Sequence, residues 1–146
     1  MGTIEGGCHC GNLRFALATA FTPASLPLRA CQCSFCRAHG AVSTSDPAGR
    51  VQLAIRDPAR VIRYRFGLQL ADFLVCGGCG VYVGAQMAEG PDCWMVLNAN
   101  TLDAVDAVRD RAAEPMDYDG EDASGRIARR KARWTPVAQA AAIPPE

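Results

Sequence analysis

Seven of the eight cysteines fall into three tight clusters: Cys8/Cys10, Cys31/Cys33/Cys36 and Cys76/Cys79. Two architectures can follow from so many thiols, a disulfide framework or a metal-bound one. Frameworks of bridges belong to short secreted chains, whereas Cys-x-Cys and Cys-x-x-Cys turns put two sulfurs on one ion. The clustering favours metal, and a reducing compartment strengthens that preference because thiols there stay reduced.

Cys8 and Cys10 supply two sulfurs, Cys76 and Cys79 two more, and together they sum to the tetrahedral shell that zinc prefers. Such a site would clip the first strand to a central hairpin far along the chain, which makes it architectural. Iron is the alternative metal for four thiolates. The triplet Cys31, Cys33 and Cys36 then has an ion of its own or none. Three thiolates leave a tetrahedral ion one ligand short, the pattern of catalytic zinc. A closed second site completed by His39 or by Cys93 is the competing arrangement. Cys93 stands before Trp94 at a strand start and reads as a packed free thiol. His9, between two ligands, is assigned no role.

At 146 residues the chain has the length of one domain, expected over residues 1–137, with residues 138–146 as a frayed tail. Acidic and basic residues balance at 15 each, so no net field recruits nucleic acid or an anionic membrane. The basic run Arg126, Arg129, Arg130, Lys131 and Arg133 is nearly cancelled by Glu114, Asp117, Asp119, Glu121 and Asp122 just upstream. No charged-then-apolar leader and no long apolar run is visible, so the expectation is a soluble, cytoplasmic, unanchored protein.

Along the chain, Leu13, Phe15 and Leu17 alternate with Arg14 and Ala16 as a half-buried strand running out of the first knuckle. Ala41 to Ser45 reads as a short strand closed by the turn Asp46-Pro47-Ala48-Gly49. Val51, Leu53 and Ile55 alternate as another, and in Val61 to Phe66 the residues Ile62, Tyr64 and Phe66 share one face. Phe73-Leu74-Val75, the knuckle Cys76-Gly77-Gly78-Cys79-Gly80, and Val81-Tyr82-Val83 make a zinc-ribbon-like unit. Trp94 to Leu97 is a short buried strand, and Leu102 to Arg111 is either a helical turn or a loop. A helix is expected from Asp122 to about Arg133, with Ile127 and Trp134 on one side and Pro136 ending it. Seven or eight short strands with turns between them indicate a mainly β domain.

An ion held by three thiolates suits a thiol from solution, because coordination lets that thiol bind ionised at neutral pH. The resulting thiolate is a strong nucleophile toward small aldehydes. Three negative ligands weaken zinc as a Lewis acid, so a thiol-carrier role is preferred over carbonyl polarisation. Arg37, next to Cys36, could attract a carboxylate of the incoming ligand.

Gly7-Cys8-His9-Cys10-Gly11, Cys31-x-Cys33-Ser34-x-Cys36-Arg37 with Gly40, and Cys76-x-x-Cys79-Gly80 together resemble the glutathione-dependent formaldehyde-activating enzyme family, which is related to centromere protein V. Asn100-Thr101-Leu102-Asp103 and the closing Arg-rich segment with Trp134-Thr135-Pro136 are similar to its members as well. The likeness runs over roughly residues 5–137. It implies a β-tent fold with a structural zinc on Cys8, Cys10, Cys76 and Cys79. It implies a catalytic zinc on Cys31, Cys33 and Cys36, where glutathione binds. The reaction implied adds glutathione to formaldehyde to give S-hydroxymethylglutathione, formally a carbon–sulfur lyase running in reverse. Gln32 stands where many members have His. Two rival readings share the residues: a non-catalytic zinc scaffold for macromolecular contacts, and a metal-storage or redox-sensing thiol cluster.

Overall fold

The computed structural model of the chain describes residues 1–138. In chain order its strands are β1 (Gly2–Gly7), β2 (Leu13–Thr19), β3 (Arg29–Cys31), β4 (Ser43–Thr44), β5 (Arg50–Ile55), β6 (Val61–Tyr64), β7 (Asp72–Cys76), β8 (Tyr82–Glu89), β9 (Asp92–Asn98), β10 (Glu114–Met116) and β11 (Thr135–Pro136). Helix α1 (Ser34–His39) lies between β3 and β4, and α2 (Ala123–Arg133) between β10 and β11. The class is mainly β with a short C-terminal helix, as expected.

Among the described residues the strands form two sheets. One is antiparallel, in the order β1-β2-β5. The larger runs β10-β3-β4-β9-β8-β7-β6, with β11 added on β9; its β10–β3 pair is parallel and the rest are antiparallel. Period-two alternation sends Leu13, Phe15 and Leu17 of β2 and Val51 and Leu53 of β5 into the space between the sheets. There they meet Leu74, Val83, Met95 and Leu97 from β7, β8 and β9. The intervening residues of the same three strands, Phe73, Tyr82, Ala85 and Val96, face the other way into a second cluster with Cys36 and Trp134. The central strands are thus covered on both faces, which is why their sequences are apolar at nearly every position. Leu74, Met95 and Leu97 are wholly buried, and each contributes about 1.5–3 kcal/mol of burial free energy.

Several elements differ from expectation. The Gly-rich start pairs along its length with β2, from Gly2↔Thr19 to Gly7↔Arg14, and is a strand in spite of its weak propensity. The triple-cysteine segment runs from the end of β3, at Cys31, into helix α1, which holds Cys36, and Arg29–Cys31 is held between β4 and β10. The strand expected over Val61 to Phe66 stops at Tyr64. Ile62 and Tyr64 share a face there, but β6 is an edge and leaves them 52% and 48% exposed. Leu102 to Arg111 contains a short 3-10 turn, Val105–Ala107, after a first one at Ala99–Thr101. Helix α2 matches its expected bounds, with Asp122 capping it by accepting from the Gly125 N–H at 2.8 Å. Ala138, expected to begin a frayed tail, donates its N–H to Val51 O at 2.8 Å. The rest of that expectation, residues 139–146, lies outside the described residues. No helix among the described residues is long and apolar enough to cross a membrane.

Candidate functional site

Cys8 and Cys10 lie in the turn between β1 and β2, Cys76 and Cys79 in the turn between β7 and β8, and the fold brings the two turns together. Their four sulfurs are within 4.8 Å of one another, with Cys10 and Cys76 3.5 Å apart. The turns are built alike. Cys8 N–H donates to Leu13 O at 2.9 Å and Cys76 N–H to Val81 O at 3.0 Å. Gly11 and Gly80 close them at φ 84° and 80°, a region costly for any residue with a Cβ. Backbone N–H groups point at sulfur, Leu13 to Cys8 at 3.3 Å and Gly78 to Cys76 at 3.4 Å, the environment a thiolate ligand needs. Without a cation the cluster is electrostatically frustrated. Burial opposes ionisation of Cys79, yet donation from the Cys10 and Val81 N–H groups prevails and brings it down to about 6. Asn12 N–H favours the Cys10 thiolate, but the Cys76 sulfur and desolvation outweigh it and push Cys10 up to about 11. A dication that lets all four ionise fits this donor set.

The second cluster is assembled locally. Cys31 ends β3; Cys33 caps α1, its sulfur accepting from Cys36 N–H at 3.4 Å; Cys36 follows one turn later. These three sulfurs also lie within 4.8 Å of one another, and among the described residues no fourth Cys, His, Asp or Glu joins them. Hydrogen bonds from Cys31 and then Cys36 hold the Cys33 thiol well below its ordinary value. Hydrogen bonds to Cys31 and then Cys33 push Cys36 strongly upward, so the three crowded thiols do not ionise together. This donor set too fits a metal ion. Helix α1 is fixed from both ends: Gly40 and Ala41 N–H groups return to Arg37 O and Cys36 O, and Asn100 Nδ2 donates to Gly40 O at 2.9 Å. Phe35 anchors its middle, edge-on to Phe73 at 4.9 Å and to Tyr82 at 5.0 Å.

A cavity of about 520 Å³ opens beside the triplet. The three cysteines and Tyr82 line it from the sheet, and α2 lines it with Arg126, Arg129, Arg130 and Trp134. Tyr82 is 3% exposed, and burial followed by the negative potential of Cys36 and its neighbours keeps its hydroxyl protonated. Glu121 engages Arg126 at 3.1 Å and Arg129 at 2.8 Å, and Arg129 also lies over the Tyr118 ring. Arg29 reaches Ser45 Oγ at 2.5 Å. In the basic run, Arg126, Arg129 and Lys131 are held in ion pairs and Arg130 packs on Trp134, while Arg133 is exposed.

The model of the glutathione-dependent formaldehyde-activating enzyme family matches residues 3–117. The chain belongs to that family. A crystal structure of a Rhodobacter sphaeroides protein resembles it at TM-score 0.56 and 26% identity, covering 76% of this chain and 97% of that one. Both cysteine clusters fall inside the family match, while α2 and Trp134-Thr135-Pro136 lie beyond its end.

Of the remaining residues singled out by sequence, His39 is exposed and stacks on Phe35 at 4.5 Å, outside the sulfur group. Cys93 is buried in the inter-sheet core, where desolvation and then Asp72 push its thiol up to about 11. His9 is exposed, and Arg37 is exposed at the cavity wall. All eight cysteines are free thiols. Asn100-Thr101-Leu102-Asp103 acts as a brace: besides the Asn100 contact to α1, Asp103 takes both Arg14 nitrogens, at 2.8 and 2.5 Å. Sequence reasoning missed Arg29, Tyr82 and Arg130 as part of the site. A signal existed for Arg130, since it sits three residues after Ile127 and four before Trp134, on the apolar stripe of α2.

Proposed function

We propose that the chain adds a small thiol of the glutathione type to a small aldehyde such as formaldehyde, a lyase-type reaction run in the direction that forms the S-hydroxymethyl hemithioacetal. The observation that carries this reading is a three-sulfur donor set opening on a cavity large enough for a small peptide-like ligand. Cys8, Cys10, Cys76 and Cys79 hold a structural zinc, and Cys31, Cys33 and Cys36 hold a catalytic one. Zinc at the triplet supplies the positive charge that lets a thiol ionise near neutral pH, below its free value of about 8.5.

The rest of the chemistry belongs to the chain. Helix α1 presents Cys33 and Cys36 in fixed geometry to one wall of the cavity. The bound thiol loses its S–H proton to solvent, and its sulfur lone pair forms the bond to the carbonyl carbon. The carbonyl π pair moves onto oxygen, which takes up a proton, so the addition balances with no oxidant or reductant. Tyr82, protonated and in the same wall, is available to donate to that oxygen. A reducing cytoplasm keeps the seven clustered thiols free for metal.

Metal content tests the assignment. Two zincs per chain in the parent and one in Cys33→Ser, with glutathione altering only the site lost in that variant, is the expected result. One zinc in both proteins and no effect of glutathione would instead favour a zinc-bearing scaffold without a reaction.

A further inference from the structure

Arg130 is 8% exposed, lines the cavity, and keeps a fully buried Nε with no hydrogen-bond partner among the described residues. Its guanidinium lies 4.6 Å from the Trp134 ring centre, a contact that uses a face and leaves the N–H edge unspent. A buried cation with open donors is costly unless a partner completes it. Of the other arginines of the wall, Arg126 and Arg129 are committed to Glu121 and Arg29 to Ser45, while Arg37 is exposed to solvent. Asp117 and Asp119 stand on the exposed rim, so the positive pole of the cavity is its buried end.

We infer that Arg130 forms a carboxylate subsite that orients an acid-bearing thiol over the sulfurs of Cys31, Cys33 and Cys36. The inference rests on the reading of the triplet as a thiol-docking metal site and adds what selects the thiol. A planar guanidinium receives a carboxylate through two parallel N–H donors, and it offsets the repulsion between that carboxylate and three thiolates. The recognition residue lies on α2, beyond the end of the family match at 3–117. Arg130 is a specificity and positioning residue, not a group that reacts.

The test is calorimetric titration of the zinc-loaded protein with 3-mercaptopropionate and with 2-mercaptoethanol, thiols that differ in one end group. In the parent the acid is expected to bind at least about tenfold tighter than the alcohol, the scale of a charge-assisted hydrogen-bond pair. In Arg130→Met the ratio falls below about threefold with 2-mercaptoethanol affinity unchanged. Arg130→Lys, which keeps the charge without the fork, is intermediate and serves if Arg130→Met melts early. A parent ratio near one, or a ratio unchanged in the variants, overturns the subsite alone. Failure of both thiols to bind the parent overturns the docking site and the subsite with it.

Discussion

The two cysteine clusters should differ sharply in what they contribute to stability, and the difference can be worked out from chain separation. Cys10 and Cys76 are 66 residues apart in sequence, yet their sulfurs lie 3.5 Å apart in the cluster that would hold the structural zinc. Closing a loop of that length removes roughly 4 kcal/mol of chain entropy from the unfolded state. At about 4 °C per kcal/mol for a domain of this size, losing the crosslink lowers Tm by roughly 15 °C. The triplet is different because Cys31, Cys33 and Cys36 are already neighbours in the unfolded chain. Metal binds them there too, and linkage to folding is correspondingly small. Serine in place of Cys33 keeps a side-chain acceptor at the α1 N-cap, so the helix start is not lost either. Thermal unfolding by far-UV circular dichroism on zinc-loaded proteins should therefore show Cys8→Ala/Cys10→Ala melting roughly 15 °C low, and Cys33→Ser within about 4 °C of the parent. Equal shifts in the two variants, or a double variant that melts with the parent, would refute the division into a clip and a site.

Glu121 is held below its ordinary value of 4.5, by Arg129 first and then Arg126, so its ion pairs stabilise the fold fully above that pH and the contribution disappears as pH falls through the depressed folded value. Urea unfolding should accordingly find Glu121→Gln less stable than the parent by about 1–2 kcal/mol at pH 7, with the gap closing as pH falls below 4.5. Asn100→Ala removes the bond to Gly40 O and should cost about 1 kcal/mol; the check is a weaker calorimetric affinity for glutathione with zinc content unchanged. Cys93, pushed up to about 11 by burial, should resist iodoacetamide at pH 8 in the folded protein and react in urea, as read by mass spectrometry of its peptide.

The cysteine pattern made the donor sets legible because a metal site is written in residue type and spacing, and both survive without any knowledge of the fold. The alternation of Leu13, Phe15 and Leu17, or of Val51 and Leu53, was legible for the same reason: the period is local. What stayed hidden depends on partners distant in sequence. The Gly2–Gly7 strand has little propensity and exists through its pairing with β2. Helix α1 is six residues long, too short for a periodic signal, and is made by Cys33 at one end and Gly40 at the other. The Glu114–Met116 strand contains Pro115 and forms because Arg29–Cys31 offers it an edge. The shared face of Ile62 and Tyr64 was legible at β6, but not that it meets solvent, which follows from the strand being an edge. Arg130 hid in a run of charges that read as a solvated face until α2 was laid across the cavity.

The most direct measurement is the exchange rate between formaldehyde and S-hydroxymethylglutathione at equilibrium, read by two-dimensional exchange NMR in buffer, with the zinc-loaded parent, and with zinc-loaded Cys33→Ser. The account predicts exchange well above the buffer rate with the parent, and the buffer rate with a variant that remains folded and keeps one zinc. A parent no faster than buffer, or a Cys33→Ser protein as fast as the parent, would contradict it.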